Sequence, residues 1–359
     1  MLTSALIEKI LASLPNRTIG VLGDLFLDRY LDLDAALTEP SIETGLDAYQ
    51  VVKVRSDPGA AGTVINNLAA LGVGRIVPIS MIGDDGEGYE LRQALQRMPS
   101  VQLANVLLSS QRRTPTYTKP MLWRAMPTRS PGADHAEEQL GVGMPLPREL
   151  NRLDIKNRQP LPPEVERQIL EMVSTTWASL DTLLILDQVS EPECGVVTAR
   201  VRDRLMELGG RDAGKIAIVD SRERIGLFRN LWLKPNEREC LRSVGQANDL
   251  RGALKCLVQR AGRPVICTQG QNGMLVGWPE QTEPDEVPAY PVRGPIDTVG
   301  AGDSSSAALA CALASGANLI EAAAFGNVIA WITIQKIGTT GTATPDEVRK
   351  AARELMLGE

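Results

Sequence analysis

The chain contains little of what many catalytic and metal sites are built from. Its single histidine, His135, lies in a segment rich in proline, glycine and charge and is expected at the surface. A Ser-His-Asp triad or a metal site with several histidine ligands is therefore not expected. The five cysteines are scattered, odd in number and without a Cys-x-x-Cys pair, which argues against a disulfide framework. We expect them to be small buried residues in a reducing compartment.

Positive charge and aromatic rings are also scarce. The net charge is −6 and aromatic residues make up 4% of the chain, which disfavours binding to a nucleic-acid backbone and stacking on bases. No apolar run is long enough to span a bilayer. Residues 1–14 have leucine and isoleucine at helical spacing with Glu8 and Lys9 between them, a pattern typical of an amphipathic helix rather than a signal peptide. We therefore expect a cytoplasmic protein without a nucleic-acid or membrane partner.

Two common nucleotide-binding sequences are absent as well. The chain has neither the Gly-x-Gly-x-x-Gly spacing of a dinucleotide-binding turn nor the Gly-Lys-Ser/Thr of a Walker A loop. Any nucleotide must therefore be held by another arrangement of backbone and side chains.

What the chain does have is a regular alternation of short β-rich runs with helical segments. The predicted strands are 18–23, 75–80, 182–186, 215–219 and 265–268. The predicted helices are 59–72, 88–98, 164–179, 195–208, 249–261, 303–315 and 319–335. This alternation predicts an α/β fold with a mainly parallel sheet and helices on both faces.

Three segments depart from the alternation. Residues 30–57, which include the strand-like run 51–55, and residues 112–124 look extended, and we expect them to form a small sheet over an active site. Residues 125–149 are rich in proline, glycine and charge without periodicity, and we expect a long insertion loop there.

The most informative segment runs from Asp297 to Asp303, with the sequence Asp-Thr-Val-Gly-Ala-Gly-Asp, and leads into a helix-forming stretch. Glycines beside a helix start leave backbone N–H groups uncovered, and the helix dipole adds to their attraction for an anion. A carboxylate there is suited to act as a base while the N–H groups hold a phosphoryl group. The alternative is that Asp303 is an ordinary helix N-cap.

Other segments also allow a functional and a structural interpretation. Residues 23–29 place Asp24 and Asp28 after the first strand, where they could bind sugar hydroxyls or simply form a turn. The small residues at 57–64 allow a ligand close to the backbone or tight packing of a helix on the sheet. Residues 268–273, between two strands, are on their own best interpreted as a hairpin turn.

Asn236 and Glu239 are three residues apart and would share a face of a helix starting there. Two oxygen-bearing side chains suit Mg²⁺, which keeps most of its water shell. The alternative is a capping box, with asparagine as N-cap and glutamate at the third helical position.

Taken together and in this order, these segments resemble the ribokinase-like (PfkB) carbohydrate kinase family. Five segments carry the resemblance, which spans nearly the whole chain: 23–28, 59–62, 236–239, 268–273 and 297–303. Within the family the chain is most similar to the bacterial heptose 7-phosphate kinases, through 23–30, 115–119, 152–154 and 327–345.

The resemblance implies a single kinase domain over residues 1–359 with a three-layer α/β/α fold and a small β lid. It also implies ATP and Mg²⁺ as cofactors and transfer of the γ-phosphoryl group to a sugar hydroxyl. Because lids in this family pair between subunits, it further implies a homodimer formed through the lid.

The resemblance also implies a role for individual residues. Asp303 would be the base, and the backbone N–H groups of Gly300, Ala301 and Gly302 the anion hole. Asn236 and Glu239 would organise Mg²⁺. The implied nucleotide-binding residues are Thr268, Gly270, Gly273 and Asn327. The implied substrate-binding residues are Asp24, Asp28, Gly59, Thr63 and Lys119.

The acceptor end departs from the family pattern. Ala60 stands where a second glycine is usual, Thr63 stands where asparagine is expected, and residues 41–50 lack a proline-rich lid pattern. Lys119, Arg112 and Arg113 are either cations for a distal phosphate or solvated charges of a lid strand. Two alternatives stay open: a kinase for a free sugar or nucleoside, and a catalytically silent protein that binds a sugar or nucleotide.

Overall fold

The computed structural model describes residues 2–124, 147–245, 249–338 and 340–356. The helices are α1 Ser4–Ser13, α2 Ala61–Ala70, α3 Gly86–Gln96, α4 Pro163–Thr176, α5 Ala199–Arg211, α6 Glu237–Val244, α7 Leu250–Ala261, α8 Ala301–Ala314, α9 Leu319–Thr333 and α10 Pro345–Met356. The strands are β1 Thr18–Gly23, β2 Leu25–Asp34, β3 Glu39–Pro40, β4 Asp47–Ala48, β5 Val51–Ala60, β6 Arg75–Gly83, β7 Val106–Ser109, β8 Thr116–Trp123, β9 Arg148–Glu149, β10 Leu153–Ile155, β11 Thr182–Asp187, β12 Ile216–Ser221, β13 Trp232–Leu233, β14 Val265–Thr268, β15 Met274–Gly277 and β16 Asp285–Val287.

Nine of these strands form the main sheet, in the order β16-β15-β14-β13-β12-β11-β1-β6-β7. The pairs from β7 to β14 are parallel, whereas β15 and β16 are antiparallel to their neighbours. The predicted α/β fold with a mainly parallel sheet is therefore confirmed.

The main sheet separates two apolar cores, and β11 shows how the sequence produces them. Its Leu184 and Leu186 belong to one core with α1, α2, α8 and α9, while Leu183 and Ile185 belong to the other with α4, α5 and α7. Successive side chains of a strand point to opposite faces, so a continuous apolar run fills both cores. Helices on both faces give the three layers expected.

A second sheet has the strand order β10-β8-β2-β5, with β9 paired to β8, and we call it the lid. The two segments expected to be extended contribute β5 and β8. β2 was not anticipated as a strand: it begins at Leu25, so Asp28 lies within a lid strand and not in a turn after β1. Of the insertion expected at 125–149, only 147–149 is described, and Arg148–Glu149 forms β9; His135 lies outside the described residues.

Smaller differences concern element ends and one cysteine. The helix expected at 195–208 begins at Ala199, and the helix expected from residue 303 begins at Ala301. Four cysteines are buried as expected, but Cys256 is exposed. Within the described ranges, every helix is too short or too polar to cross a membrane.

Candidate active site

Three neighbouring parallel strands deliver polar residues at their carboxyl ends. The register pairs Leu186 of β11 with Asp220 of β12, and Val219 of β12 with Leu233 of β13. One step further along, Asp220 therefore stands beside Lys234. In open α/β sheets this edge is where ligands bind.

Lys234 and Asp220 form a buried ion pair at this edge. Lys234 is 2% exposed, and its Nζ lies 2.8 Å from Oδ2 of Asp220, which also accepts a hydrogen bond from the Ser306 hydroxyl at 3.2 Å. Burial alone would lower the pKa of Lys234, but the carboxylates of Asp220, Asp303 and Glu239 raise it above its ordinary value. Lys234 therefore stays protonated and places a positive charge beneath the site.

Asp303 lies at the third position of α8, facing the same edge. Its Oδ1 accepts a hydrogen bond from Nε2 of Gln188, the residue after β11, at 3.4 Å. Burial and the neighbouring Asp220 carboxylate raise the pKa of Asp303 to about 6, although Lys234 opposes the shift. A carboxylate with this pKa is ionised at neutral pH and is a stronger base than an ordinary aspartate.

The loop before α8 leaves the helix N-terminus open. Gly300 is the N-cap, with φ of +81° and no side-chain cap, so the interpretation of Asp303 as an ordinary N-cap is wrong. Of the three N–H groups expected to form an anion hole, that of Ala301 donates to the Thr298 carbonyl at 3.2 Å. A Cβ atom added to Gly302 would meet no atom within 4 Å. Space for a ligand therefore lies directly over the first turn.

Side chains around this loop hold its shape. The Asp297 carboxylate accepts hydrogen bonds from the N–H groups of Val299 and Gly338, at 3.0 and 3.2 Å. A Cβ atom on Gly300 would lie 2.5 Å from Cγ2 of Thr340 and 3.8 Å from that of Thr63. Gly300 is thus required both by its positive φ and by close packing, and it brings Thr63 of α2 next to the loop.

Asn236 and Glu239 form the capping box that was one of their two interpretations. Each side chain accepts a hydrogen bond from the backbone N–H of the other, both at 2.9 Å. One oxygen of Glu239 makes no hydrogen bond to the described residues. Burial first, and then the nearby Asp220 carboxylate, raise the pKa of Glu239, so a cation here would relieve repulsion between the two carboxylates.

These residues fit Mg²⁺ held chiefly through water and phosphate. The described part of the chain has no cluster of three or more aspartate, glutamate, histidine or cysteine side chains arranged as metal ligands. Mg²⁺ in phosphoryl-transfer sites commonly has only one or two carboxylates with substrate phosphates and waters. The carboxylate oxygen of Glu239 that makes no hydrogen bond to the described residues meets this requirement for one or two carboxylates.

The expected nucleotide loop lies beside this helix start. Thr268 forms a parallel bridge with Asn236, and its N–H donates to the Pro235 carbonyl at 3.0 Å. Residues 268–273 also form the β14–β15 hairpin, with positive φ at Gly270 and Gly273. Asn327 is buried, and its amide donates to the carbonyls of Val287 and Pro288, both at 3.0 Å. The buried Asn327 side chain thus holds the segment after β16 in place through these two hydrogen bonds.

One face of the lid carries a set of polar and aromatic side chains. The register aligns Asp57, Asp28 and Tyr117 in one row across the sheet and Arg55, Tyr30 and Lys119 in the next. These rows share a face because they are two residues apart along each strand. Nζ of Lys119 lies 3.5 Å from Oδ1 of Asp28 and donates to the Tyr30 hydroxyl at 3.1 Å.

Gly59 makes room for Asp28 on this face. A Cβ atom at Gly59 would lie 2.9 Å from Cγ of Asp28. Burial raises the pKa of Asp28, although Lys119 opposes the shift. Two expected substrate-binding residues, Asp28 and Lys119, are therefore brought together with Gly59 behind them.

Asp24 lies apart from this lid face, at the root of the lid. It is 6% exposed, and both of its carboxylate oxygens accept from the Val196 N–H at 3.2 Å. Burial raises the pKa of Asp24 to about 7. It lines a cleft between the lid and the main sheet together with Phe26, Tyr117, Gln188 and Arg222.

The side chains of both arginines considered for a distal phosphate already form hydrogen bonds or ion pairs with other residues of the protein. The Arg112 guanidinium is buried and donates to the carbonyls of Gln159, Pro160 and Cys194. Arg113 pairs with Asp85 at 3.3 Å and Glu87 at 2.7 Å. Of the three cations considered, only Lys119 lies on the polar lid face.

Sequence reasoning missed Gln188, Asp220, Arg222 and Lys234. All four lie at or just after the carboxyl ends of β11, β12 and β13, so a search for polar residues at strand carboxyl ends would have found them. Their pairing depends on strand register, which hydrophobic periodicity does not report.

Comparison with known proteins finds similar sequences. Residues 231–347 match the sequence family described as pfkB family carbohydrate kinase. The chain is 28% identical over 351 residues to the "Bifunctional protein HldE" of Pelobacter propionicus, covering 96% of this chain but only 65% of that relative. The chain thus spans just under two thirds of that longer protein.

Two solved structures share the fold. Arabidopsis thaliana ribokinase complexed with ribose and ATP has a TM-score of 0.65 at 16% identity, covering 94% of this chain and 99% of that one. Escherichia coli phosphofructokinase-2 in complex with fructose-6-phosphate has a TM-score of 0.65 at 20% identity, covering 95% and 99%. The chain therefore has a ribokinase-like fold, and its residues 231–347 match the pfkB carbohydrate kinase family.

Proposed function

We propose that the protein transfers the γ-phosphoryl group of ATP to a hydroxyl of a sugar phosphate, with a heptose 7-phosphate as the first candidate. The observation that carries the proposal is the Asp303 carboxylate, with a pKa of about 6, directly beside the open N-terminus of α8. Transfer of a phosphoryl group to a hydroxyl needs a site that binds the anionic phosphoryl group and, next to it, a base that accepts the hydroxyl proton.

Asp303 takes the proton of the acceptor hydroxyl as its oxygen bonds to phosphorus. The backbone N–H groups of Gly300 and Gly302 hold the charge on the phosphoryl oxygens, since that of Ala301 already donates to Thr298. Lys234 balances Asp220 so that Asp303 stays ionised. When bound, Mg²⁺ neutralises nucleotide phosphate charge, and Asn236 and Glu239 would hold it through its waters. Thr268, Gly270 and Gly273 provide the backbone against which the nucleotide lies, with Asn327 supporting the adjoining segment.

The acceptor would lie between Asp24 and the polar face of the lid. Asp28 accepts from its hydroxyls, Gly59 and Thr63 allow close approach, and Lys119 offers a cation to an anionic group. Arg152, stacked 4.2 Å over the Tyr117 ring, adds positive charge near the same face. These cations favour a phosphorylated acceptor over a free sugar or nucleoside.

The substrate is tested by measuring ATP consumption with heptose, hexose and pentose phosphates, free sugars and nucleosides. Turnover limited to sugar phosphates supports the proposal. A preference for a free sugar or a nucleoside would show that this compound class is the acceptor instead. Binding of a sugar without turnover of any acceptor would identify a silent binding protein instead.

Asp303→Asn tests the base. We expect it to fold and bind nucleotide normally but to lose turnover by roughly 100-fold or more, because general-base catalysis supplies about 10²–10⁴-fold. Wild-type kcat/KM should also fall as the pH drops through about 6, since protonated Asp303 accepts no proton. Near-normal turnover of the variant would show that another group is the base.

We also propose that two copies pair through their lids. β5 is at an edge of the lid within the described ranges, and Val51, Val52 and Val54 are 47%, 44% and 54% exposed. An edge strand with exposed apolar side chains is a template for another strand or sheet. A second copy presents the same edge and can bury both at once.

A further inference from the structure

Arg222 differs from the other arginines around the cleft because no described residue forms a hydrogen bond or ion pair with its side chain. It follows β12 directly and is exposed, and its only hydrogen bond among the described residues runs from its backbone N–H to the Asp187 carbonyl, at 3.2 Å. Arg224, two residues later, is held by both oxygens of Asp187, at 2.6 and 3.0 Å. Arg152 is likewise held by Asp154, at 2.7 and 2.8 Å.

The position of Arg222 is set by the main sheet. The last pair between β11 and β12 joins Asp187 to Ser221, so Gln188 and Arg222 occupy the next step of the same register. Gln188 donates to Asp303, and both Gln188 and Arg222 line the cleft. Arg222 follows Asp220 by two residues, in the turn after β12, and Asp220 contacts α8 through Ser306.

Arg222 also lies within electrostatic reach of both sides of the cleft. Its positive charge lowers the pKa of Asp303 in α8 and that of Tyr117 in the lid, in each case against a larger effect of burial. The other cation near Asp303, Lys234, is already paired with Asp220. Arg222 is therefore the cation in the described part of this site whose charge is not already matched by a protein carboxylate.

We propose that Arg222 is a catalytic residue that binds the transferring phosphoryl group between Asp303 and the lid. This rests on the proposed kinase function. The acceptor oxygen bonds to the γ-phosphorus, the bond from that phosphorus to the β,γ-bridging oxygen breaks with its electron pair leaving on ADP, and the hydroxyl proton passes to Asp303. The planar guanidinium donates to two phosphoryl oxygens during this exchange, from the side opposite the α8 N–H groups.

The test compares Arg222→Gln, Arg222→Lys and Arg222→Ala with the wild type, and uses Arg167→Gln as a control. Arg167 of α4 pairs with Glu164 on the exposed surface, 2.6 Å away, and is outside the proposed machinery. The acceptor is the sugar phosphate with the highest turnover in the screen. Thermal unfolding checks that each variant folds.

We expect Arg222→Gln to lower kcat at least about 100-fold with the acceptor KM changed less than about threefold. Arg222→Lys should recover only part of the loss, and millimolar guanidinium chloride should increase the rate of Arg222→Ala but not that of the wild type. The acid limb of the pH profile should move to higher pH in Arg222→Gln, which a purely structural role would not cause.

A kcat within threefold of the wild type would overturn the proposal. So would a tenfold or greater rise in KM confined to phosphorylated acceptors, because it would assign Arg222 to the phosphate of the acceptor. Absence of kinase activity in the wild type would instead refute the proposed function itself, before any variant is compared.

Discussion

A methyl group added at Gly302 would project into the space proposed for the phosphoryl group rather than into the protein. Its position in the first turn of α8 is open to at least 4 Å around a Cβ atom. We expect Gly302→Ala to be as stable as the wild type or more stable, by up to about 1 kcal/mol, because alanine favours helix over glycine. Turnover should fall roughly 100-fold, since a phosphoryl group displaced by about 1 Å reacts poorly.

Gly86→Ala is the matched control for Gly302→Ala. Gly86 begins α3 and also has no atom within 4 Å of an added Cβ. Thermal unfolding and steady-state kinetics should show the two substitutions alike in stability and different in activity. Equal activities would place the phosphoryl group elsewhere.

Ala60 adopts a backbone conformation that suits glycine. Its φ of +52° and ψ of −116° place it in a region that L-residues rarely enter, at the N-cap of α2. Such strain costs of order 1–3 kcal/mol, so Ala60→Gly should raise the free energy of unfolding by about 1 kcal/mol after the entropy of the unfolded glycine is counted.

Chemical denaturation of Ala60→Gly and Ala69→Gly tests this. Ala69 lies within α2, where glycine should instead destabilise by up to about 1 kcal/mol. The strain interpretation fails if both substitutions destabilise. If it holds, this chain carries a strained alanine where the resembled family usually has glycine.

At the scale of elements, the lid is tied to the main body through α3. Glu90 of α3 accepts hydrogen bonds from Arg29 of β2 and from the Ser56 hydroxyl of β5, the latter at 2.7 Å. We expect Glu90→Ala to raise the acceptor KM and to increase ATP hydrolysis without acceptor, because a loosened lid admits water. Stability should change by less than about 1 kcal/mol, as for other part-exposed ion pairs.

Gln93→Ala, on the same helix, is the control for Glu90→Ala, because among the described residues the Gln93 side chain bonds only to Gln96, at 3.1 Å. Phosphate release is measured with and without the acceptor for both variants. An unchanged ratio of hydrolysis to transfer in Glu90→Ala would mean that the lid is positioned by other contacts.

Elements with strong periodicity were predictable, and those with mixed signals were not. β11 was recognised because it is an uninterrupted apolar run buried on both faces. β2 begins with three apolar residues and alternates apolar and polar residues only from Leu31 to Asp34. Its aspartates suggested a turn, so the strand was missed. The position of Asp303 in the first turn of a helix was predictable because it depends on local sequence. The Asp220–Lys234 pair depends on strand register and was not.

At the scale of the whole molecule, pairing of two copies through their lids predicts the mass of the protein in solution. Wild-type protein should sediment at about twice the 38.8 kDa of one chain. Substituting both Val52 and Val54 with lysine should produce monomers, because charged side chains at a strand edge block pairing. Leu227→Lys, at a residue that is 52% exposed and outside the lid, should leave the mass unchanged. A wild-type monomer at micromolar concentration would contradict the pairing.

The position of β1 in the sheet bears on how the chain is synthesised. β1 lies between β6 and β11, and contacts on its β11 side join residues 163 positions apart, such as Thr18 and Asp181. A nascent chain that has emerged only through β6 therefore presents β1 with one unpaired edge and mostly apolar side chains. Contacts of such long range form slowly and leave intermediates prone to aggregation. Slow translation before β11 should therefore lower the yield of native protein and increase its dependence on chaperones.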